Sequence, residues 1–107
     1  MKVTGVRFAN QVYYSLDEFY AKSIELHPSL DYVTITNKKK RLLSRVYSDL
    51  IMFPLKHRIA RKRSWELLGY RDLVVEQVHF GYTIEKNHNG EVYILVHDAI
   101  HSKIYHD

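Results

Sequence analysis

The chain of 107 residues contains no cysteine. That excludes a disulfide framework and any thiolate metal site, and it suits a reducing cytoplasm. Proline occurs twice and glycine four times, so no flexible linker divides the chain and residues 1–107 read as a single domain. No run approaches the roughly 18 apolar residues that a membrane-spanning helix requires. The opening Met1-Lys2-Val3-Thr4-Gly5 lacks the apolar stretch of a secretory signal. An initiating Met1 favours a free-standing protein over the tail of a larger one. There is no internal repeat, no Gly-rich phosphate loop, no Gly-x-Ser-x-Gly elbow and no Cys-x-x-Cys pair.

What is present is aromatic mass and unevenly placed charge. Nine Tyr and four Phe supply material for a core. The net charge of +4 hides a strong asymmetry. Residues 1–36 hold three Lys/Arg and four acids, residues 37–63 hold ten and one, and residues 64–107 hold three and seven. Lys38, Lys39, Lys40 and Arg41 form one half of the basic block, and Lys56, Arg58, Arg61, Lys62 and Arg63 the other. Such a concentration between near-neutral flanks is the electrostatic footprint of a partner with many negative charges. Nucleic acid is the first expectation, because Lys and Arg that neutralise phosphates release counterions. An acidic protein partner is the rival. A solvated helix face is the plain structural alternative.

Periodicity predicts an α+β fold. Val3 to Tyr14 reads as a strand pair turning at Ala9-Asn10. Ser15-Leu16-Asp17-Glu18 reads as a capping box, followed by a helical stripe at Leu16, Phe19, Tyr20 and Ile24 that ends near His27-Pro28. Tyr32-Val33-Thr34-Ile35-Thr36 is β-branched and predicts a short strand. Asn37 then caps a helix with Leu42, Leu43, Val46, Tyr47, Leu50 and Ile51 on one face. Pro54 opens a further helix ending near Gly69, although its apolar residues Leu55, Ile59, Trp65, Leu67 and Leu68 are spread around it. Trp65, within the basic segment, is a candidate for base stacking, although a core role for it and for Tyr82 is the simpler reading.

The last third carries the most chemistry. Alternation at Val78, Phe80, Tyr82 and Ile84 predicts a half-buried strand. Asn87-His88-Asn89-Gly90 is turn chemistry, and Val92 to Val96 is a second strand. Asp98 is placed to cap a final helix over 98–106 that carries His101 and His106. Five of the seven histidines fall between His79 and His106.

Gly81-Tyr82-Thr83, Gly90, Leu95-Val96, Ile100-His101 and His106 resemble, in register, the motif of the ββα-metal (HNH/endonuclease VII) superfamily, and most closely its small bacterial toxin nucleases. The likeness covers residues 78–107. Where that family has a His-His pair this chain has Glu85-Lys86, and where it has Pro before the helix this chain has His97. The resemblance implies a metal-dependent endonuclease. Glu85, His101 and His106 would hold a divalent ion (Mg, Mn, Ni or Zn). His88 or His97 would activate water, and Lys86 would grip phosphate, because a lysine is a poor base near neutral pH. The alternative is a module that has lost catalysis. It would bind nucleic acid, or inhibit a nucleic-acid enzyme as small phage and mobile-element proteins do.

Overall fold

In the computed structural model, which describes residues 2–27, 29 and 31–106, the sheet is laid down late in the chain. Strand β1 (Val3–Phe8) is followed by two long helices, α1 (Asn10–Leu26) and α2 (Tyr32–Met52), and by the short α3 (Arg63–Leu67). Then come β2 (Arg71–Val75), β3 (Val78–Lys86), β4 (Val92–His101) and a 3₁₀ turn, Ser102–Ile104. The strand order is β1-β4-β3-β2. Strands β2, β3 and β4 form an antiparallel meander, and β1 joins β4 in parallel after the helical crossover.

Both long helices cover the same face of the sheet. Val12 and Leu16 of α1 and Leu42, Val46 and Leu50 of α2 share one buried cluster with Leu73, Phe80, Tyr82, Ile94 and Val96. Burying such apolar area is the main stabilising term of a domain this size. Because side chains alternate along a strand and ladder partners share a face, the register also defines the opposite face. Arg7, Leu95 and Thr83 form one row across it, and Tyr93 and Glu85 the next. The two long helices leave this second face uncovered, and only Trp65 of α3 reaches it, at Gly81.

The α+β class and the antiparallel hairpin over 78–96 follow the sequence expectation, with Gly90 at φ 82° in the turn. The helical stripe of α1 also ends as expected, with His27 at its C-terminus. Several expectations do not hold. Residues 10–14 are the start of α1, because Val12 continues the stripe of Leu16 into the core. Ser15 lies inside that helix and donates its hydroxyl to Asp98 Oδ1 at 2.9 Å. The segment 32–36 is helical. Asp31 caps it, accepting from the Thr34 amide at 2.7 Å, a bond that holds the Asp31 carboxyl below its usual range. Ile35, 3% exposed, extends the buried stripe of Leu42, Val46 and Leu50 by two turns; that burial outweighs the weak β-preference of Val, Ile and Thr. Asn37 is therefore mid-helix rather than a cap.

The helix expected from Pro54 is reduced to Arg63–Leu67. Its scattered apolar residues offer no stripe to bury, and residues 58–60 pair instead beside β2. Ile59 bridges Arg71, the Asp72 amide donates to the Arg58 carbonyl at 3.0 Å, and the Ala60 amide to the Tyr70 carbonyl at 2.8 Å. The expected helix over 98–106 is also absent. Strand β4 runs on to His101, paired through Gly81–Asp98, Phe80–Ala99, His79–Ile100 and Val78–His101. Asp98 caps nothing: it accepts from Ser15 and from the Ala99 amide at 2.7 Å.

Candidate nucleic-acid interface

The bare sheet face and the 54–63 segment meet at one rim, and Tyr70 is the hinge between them. Its carbonyl accepts from Ala60, and its ring stacks on His97 at 4.4 Å between centroids, nearly parallel at 9°. His97 is the extra residue of a β-bulge, since Tyr82 pairs with Val96 while Gly81 pairs with Asp98. A bulge redirects a side chain out of the regular pleat. Thr83, across the ladder, fixes the imidazole through its hydroxyl at 2.7 Å from Nε2. Burial lowers the His97 pKa, and the nearby Glu85 carboxylate opposes that shift only in part. The imidazole is therefore neutral at pH 7. With the proton on Nε2, Nδ1 is left as an acceptor.

An aromatic cluster closes the far end of this face. Trp65, 4% exposed, packs against Tyr70 at 5.9 Å and Tyr105 at 5.5 Å. Tyr105 stacks on His79 at 3.6 Å, and Asp72 holds the His79 ring at 2.9 Å from Nδ1. The Lys62 amide donates to the Tyr105 hydroxyl at 3.2 Å, and Lys62 Nζ donates to the His106 carbonyl at 2.7 Å. The C-terminal residues thereby hold the basic segment against the sheet. On its other side, Arg71 donates to the His57 carbonyl at 2.6 Å, the His57 ring meets Asp49 at 2.6 Å, and the Tyr82 hydroxyl donates to the Pro54 carbonyl at 2.9 Å. The segment from Pro54 to Lys62 is irregular in shape yet fixed at five points.

The expected metal ligands do not converge. Glu85 pairs with Tyr93 near the hairpin turn, and His101 with Val78 at the opposite end of β3. Seven residues of strand separate those rungs, roughly 23 Å at about 3.3 Å per residue. Their faces differ as well: Glu85 lies on the bare face, while His101 stacks on Phe19 of α1 at 4.7 Å. His106 lies beyond the 3₁₀ turn, beside Lys62. Among the described residues, no group of three or more His, Asp or Glu is arranged to hold an ion. The reason is the missing C-terminal helix. An extended β4 carries His101 away from the turn, whereas a helix would have folded it back.

The other expected site residues separate into groups. Lys86 ends β3 and His88 stands in the exposed turn, both on the hairpin tip and away from the basic segment's anchorage. The basic block divides in two. Lys39 pairs with Asp17 at 2.6 Å, Arg45 with Glu76 at 3.2 Å, and Lys38 and Arg41 face a cleft beside α1. Lys40 is exposed on α2. Arg58, Arg61 and Arg63 are exposed on the 54–63 segment, and Lys56 lies over the Phe53 ring at 5.3 Å. Tyr70, Asp72 and Tyr105 went unassigned in the sequence, and Thr83 entered only through the Gly81-Tyr82-Thr83 resemblance; Asp72 and Thr83 stand beside the core residues Leu73 and Tyr82, whereas nothing around Tyr105 signalled it. No helix is long and apolar enough to cross a membrane among the described residues. No family model, curated protein or solved structure matches the chain.

Proposed function

We propose that the chain binds nucleic acid along the rim where the 54–63 segment meets the bare sheet face. One observation carries this reading: exposed cations at Arg58 and Arg61 flank the stretch that backbone hydrogen bonds fix beside Tyr70, whose ring stacks on His97, with Lys56 further along the same segment. Cations placed along such a rim suit a phosphate backbone, and the neighbouring rings suit unpaired bases, because every base has a π-face to stack. Single strands are the favoured substrate, since a duplex hides those faces. The test is fluorescence anisotropy with a labelled single-stranded RNA. Three phosphate contacts give a slope of log affinity against log salt of about −2. Arg58→Glu with Arg61→Glu abolishes binding. An affinity that is flat with salt, or unmoved by the double reversal, overturns the proposal.

A second reading, phosphodiester cleavage, is favoured by the neutral, fixed His97 on the same rim. The metal-dependent route needs Glu85, His101 and His106 at one ion, and their positions give it no support. RNA supplies its own nucleophile. His97 Nδ1 would take the proton of a ribose 2′-hydroxyl, the 2′-oxygen would attack the adjacent phosphorus, and the P–O5′ bond would break. That leaves a 2′,3′-cyclic phosphate on one fragment. The departing 5′-oxygen takes a proton from solvent, while Arg58 and Arg61 offset the charge on phosphorus. Identification of the product ends tests it. Cyclic phosphate termini that vanish with His97→Asn while RNA binding persists support cleavage. Intact RNA leaves the binding module alone.

A further inference from the structure

The cations of α2 face a different place from those of the 54–63 segment. Phe19 and Tyr20 of α1, Lys38, Arg41 and Arg45 of α2, and His101 at the end of β4 surround an open cleft of about 590 Å³, floored by the Glu76-Gln77 turn. That volume is in the range of small-molecule sites. Lys38, Arg41 and Arg45 are spaced i, i+3, i+7 and so share one helix face, where like charges repel one another. Only Arg45 has a carboxylate, Glu76, and that pair is more than half exposed. Lys38 and Arg41 have no ion-pair partner among the described residues. The opposite wall is apolar and aromatic, with the His101 ring stacked on Phe19 at 4.7 Å. Burial, aided by Lys103 and His79, lowers the His101 pKa, so near pH 7 the ring adds a flat neutral surface rather than charge.

The floor supplies an independent observation. Glu76 and Gln77 form the two-residue turn between β2 and β3 with φ at 51° and 67°. This left-handed geometry is normally given to Asn-Gly or Asp-Gly. Neither residue relieves the backbone strain, and both reach the cleft. Strained residues that line a cavity point to a use for their side chains.

We infer that this cleft binds a small organic phosphate that carries an aromatic ring, a mononucleotide in chemical class. The phosphate sits against Lys38, Arg41 and Arg45, and the ring lies along the His101–Phe19 wall. A bare anion would leave the aromatic wall unused, and an uncharged ring would leave two cations unpaired. The site lies on the helix-covered side of the sheet, separate from the RNA rim.

Titration calorimetry of the full chain with AMP, ribose 5-phosphate, inorganic phosphate and adenosine tests the assignment. AMP binds most tightly; phosphate and adenosine each bind at least about tenfold more weakly, since each makes only half of the contacts. Arg41→Glu weakens AMP by about tenfold or more at an unchanged thermal midpoint, and it leaves RNA affinity intact. Arg58→Glu with Arg61→Glu does the reverse, so failure here and failure of the RNA reading are separate results. Where Arg41→Glu lowers the midpoint, Arg41→Gln with chemical-shift mapping of Phe19, Tyr20 and His101 replaces it. AMP that does not bind, binds no better than adenosine, or shifts none of those rings overturns the inference.

Discussion

Replacing Gly81 by alanine tests whether the aromatic cluster sits on the sheet as described. Gly81 has no unusual φ, so alanine fits its backbone; the difficulty is space. An added Cβ would lie 2.9 Å from Trp65 Cε3 and 2.9 Å from Tyr70 Cδ2, inside van der Waals contact. Neither ring has room to retreat. Trp65 abuts Tyr105, Tyr105 stacks on His79, and Tyr70 stacks on His97. Overpacking of this kind costs about 1–3 kcal/mol. The lower entropy of an unfolded alanine returns about 0.4–1 kcal/mol. The net loss is about 0–2.6 kcal/mol and centres near 1.3 kcal/mol, a fall in Tm of roughly 5–10 °C for a domain near this size. Trp65 is the sole tryptophan, so its emission during urea or thermal unfolding reports stability and packing together. RNA affinity falls in parallel, because the Tyr70–His97 stack must shift. Trimming the indole should relieve the clash, so Gly81→Ala with Trp65→Phe, followed by circular dichroism because the tryptophan is gone, should be less destabilised than the two single losses added together. A Gly81→Ala protein with unchanged Tm and emission would show that the rings do not cover Gly81, and the rim would lose its physical basis.

Two further predictions concern groups that position the site. Burial lowers the pKa of both His97 and His101, so between those lowered values and about 6.5 the unfolded chain binds more protons than the native one. Their stability contribution is complete above about pH 6.5 and is lost as pH falls through the native values; the urea midpoint should therefore drop less between pH 7.5 and 5 in His97→Gln/His101→Gln, and an equal drop would refute this. The buried Tyr82 hydroxyl donates to the Pro54 carbonyl, so Tyr82→Phe should cost about 1–3 kcal/mol; burial also raises the Tyr82 pKa to about 12, so the wild-type advantage over Tyr82→Phe should shrink as pH climbs from 10 toward that value, and a constant difference would count against the buried bond.

Legibility in the sequence followed how much each segment depends on its own neighbours. The α2 stripe of Leu42, Val46 and Leu50 and the hairpin strands repeat with periods of their own, and each was readable locally. The misread segments are those decided by distant partners. Val33 to Thr36 has strand-type residues, but Ile35 completes a stripe that starts seven residues later. Residues 58–60 carry no alternation and become extended only because β2 lies beside them. The turn at Glu76-Gln77 gives no signal at all, since neither residue is a turn former; β2 was therefore invisible as a strand.

The site was legible in composition and obscure in arrangement, for the same reason. A basic block at 37–63 was plain, yet a helix presents only one face to any surface. Lys38, Arg41 and Arg45 point into the cleft beside α1, whereas Arg58 and Arg61 follow an irregular segment to the other side of the sheet. One electrostatic signal in sequence became two surfaces in space. The histidines behaved in the opposite way. Grouped in the last third of the chain, they invited a single ion, but an extended strand spreads residues by about 3.3 Å each and alternates their faces. His101 faces α1 and its bulged neighbour His97 faces the bare side, within one strand. Only the bulge breaks the regular alternation there, and it brings His97 under Tyr70 and against Thr83. The histidine that stands on the RNA rim is thus the one at which the strand departs from its period.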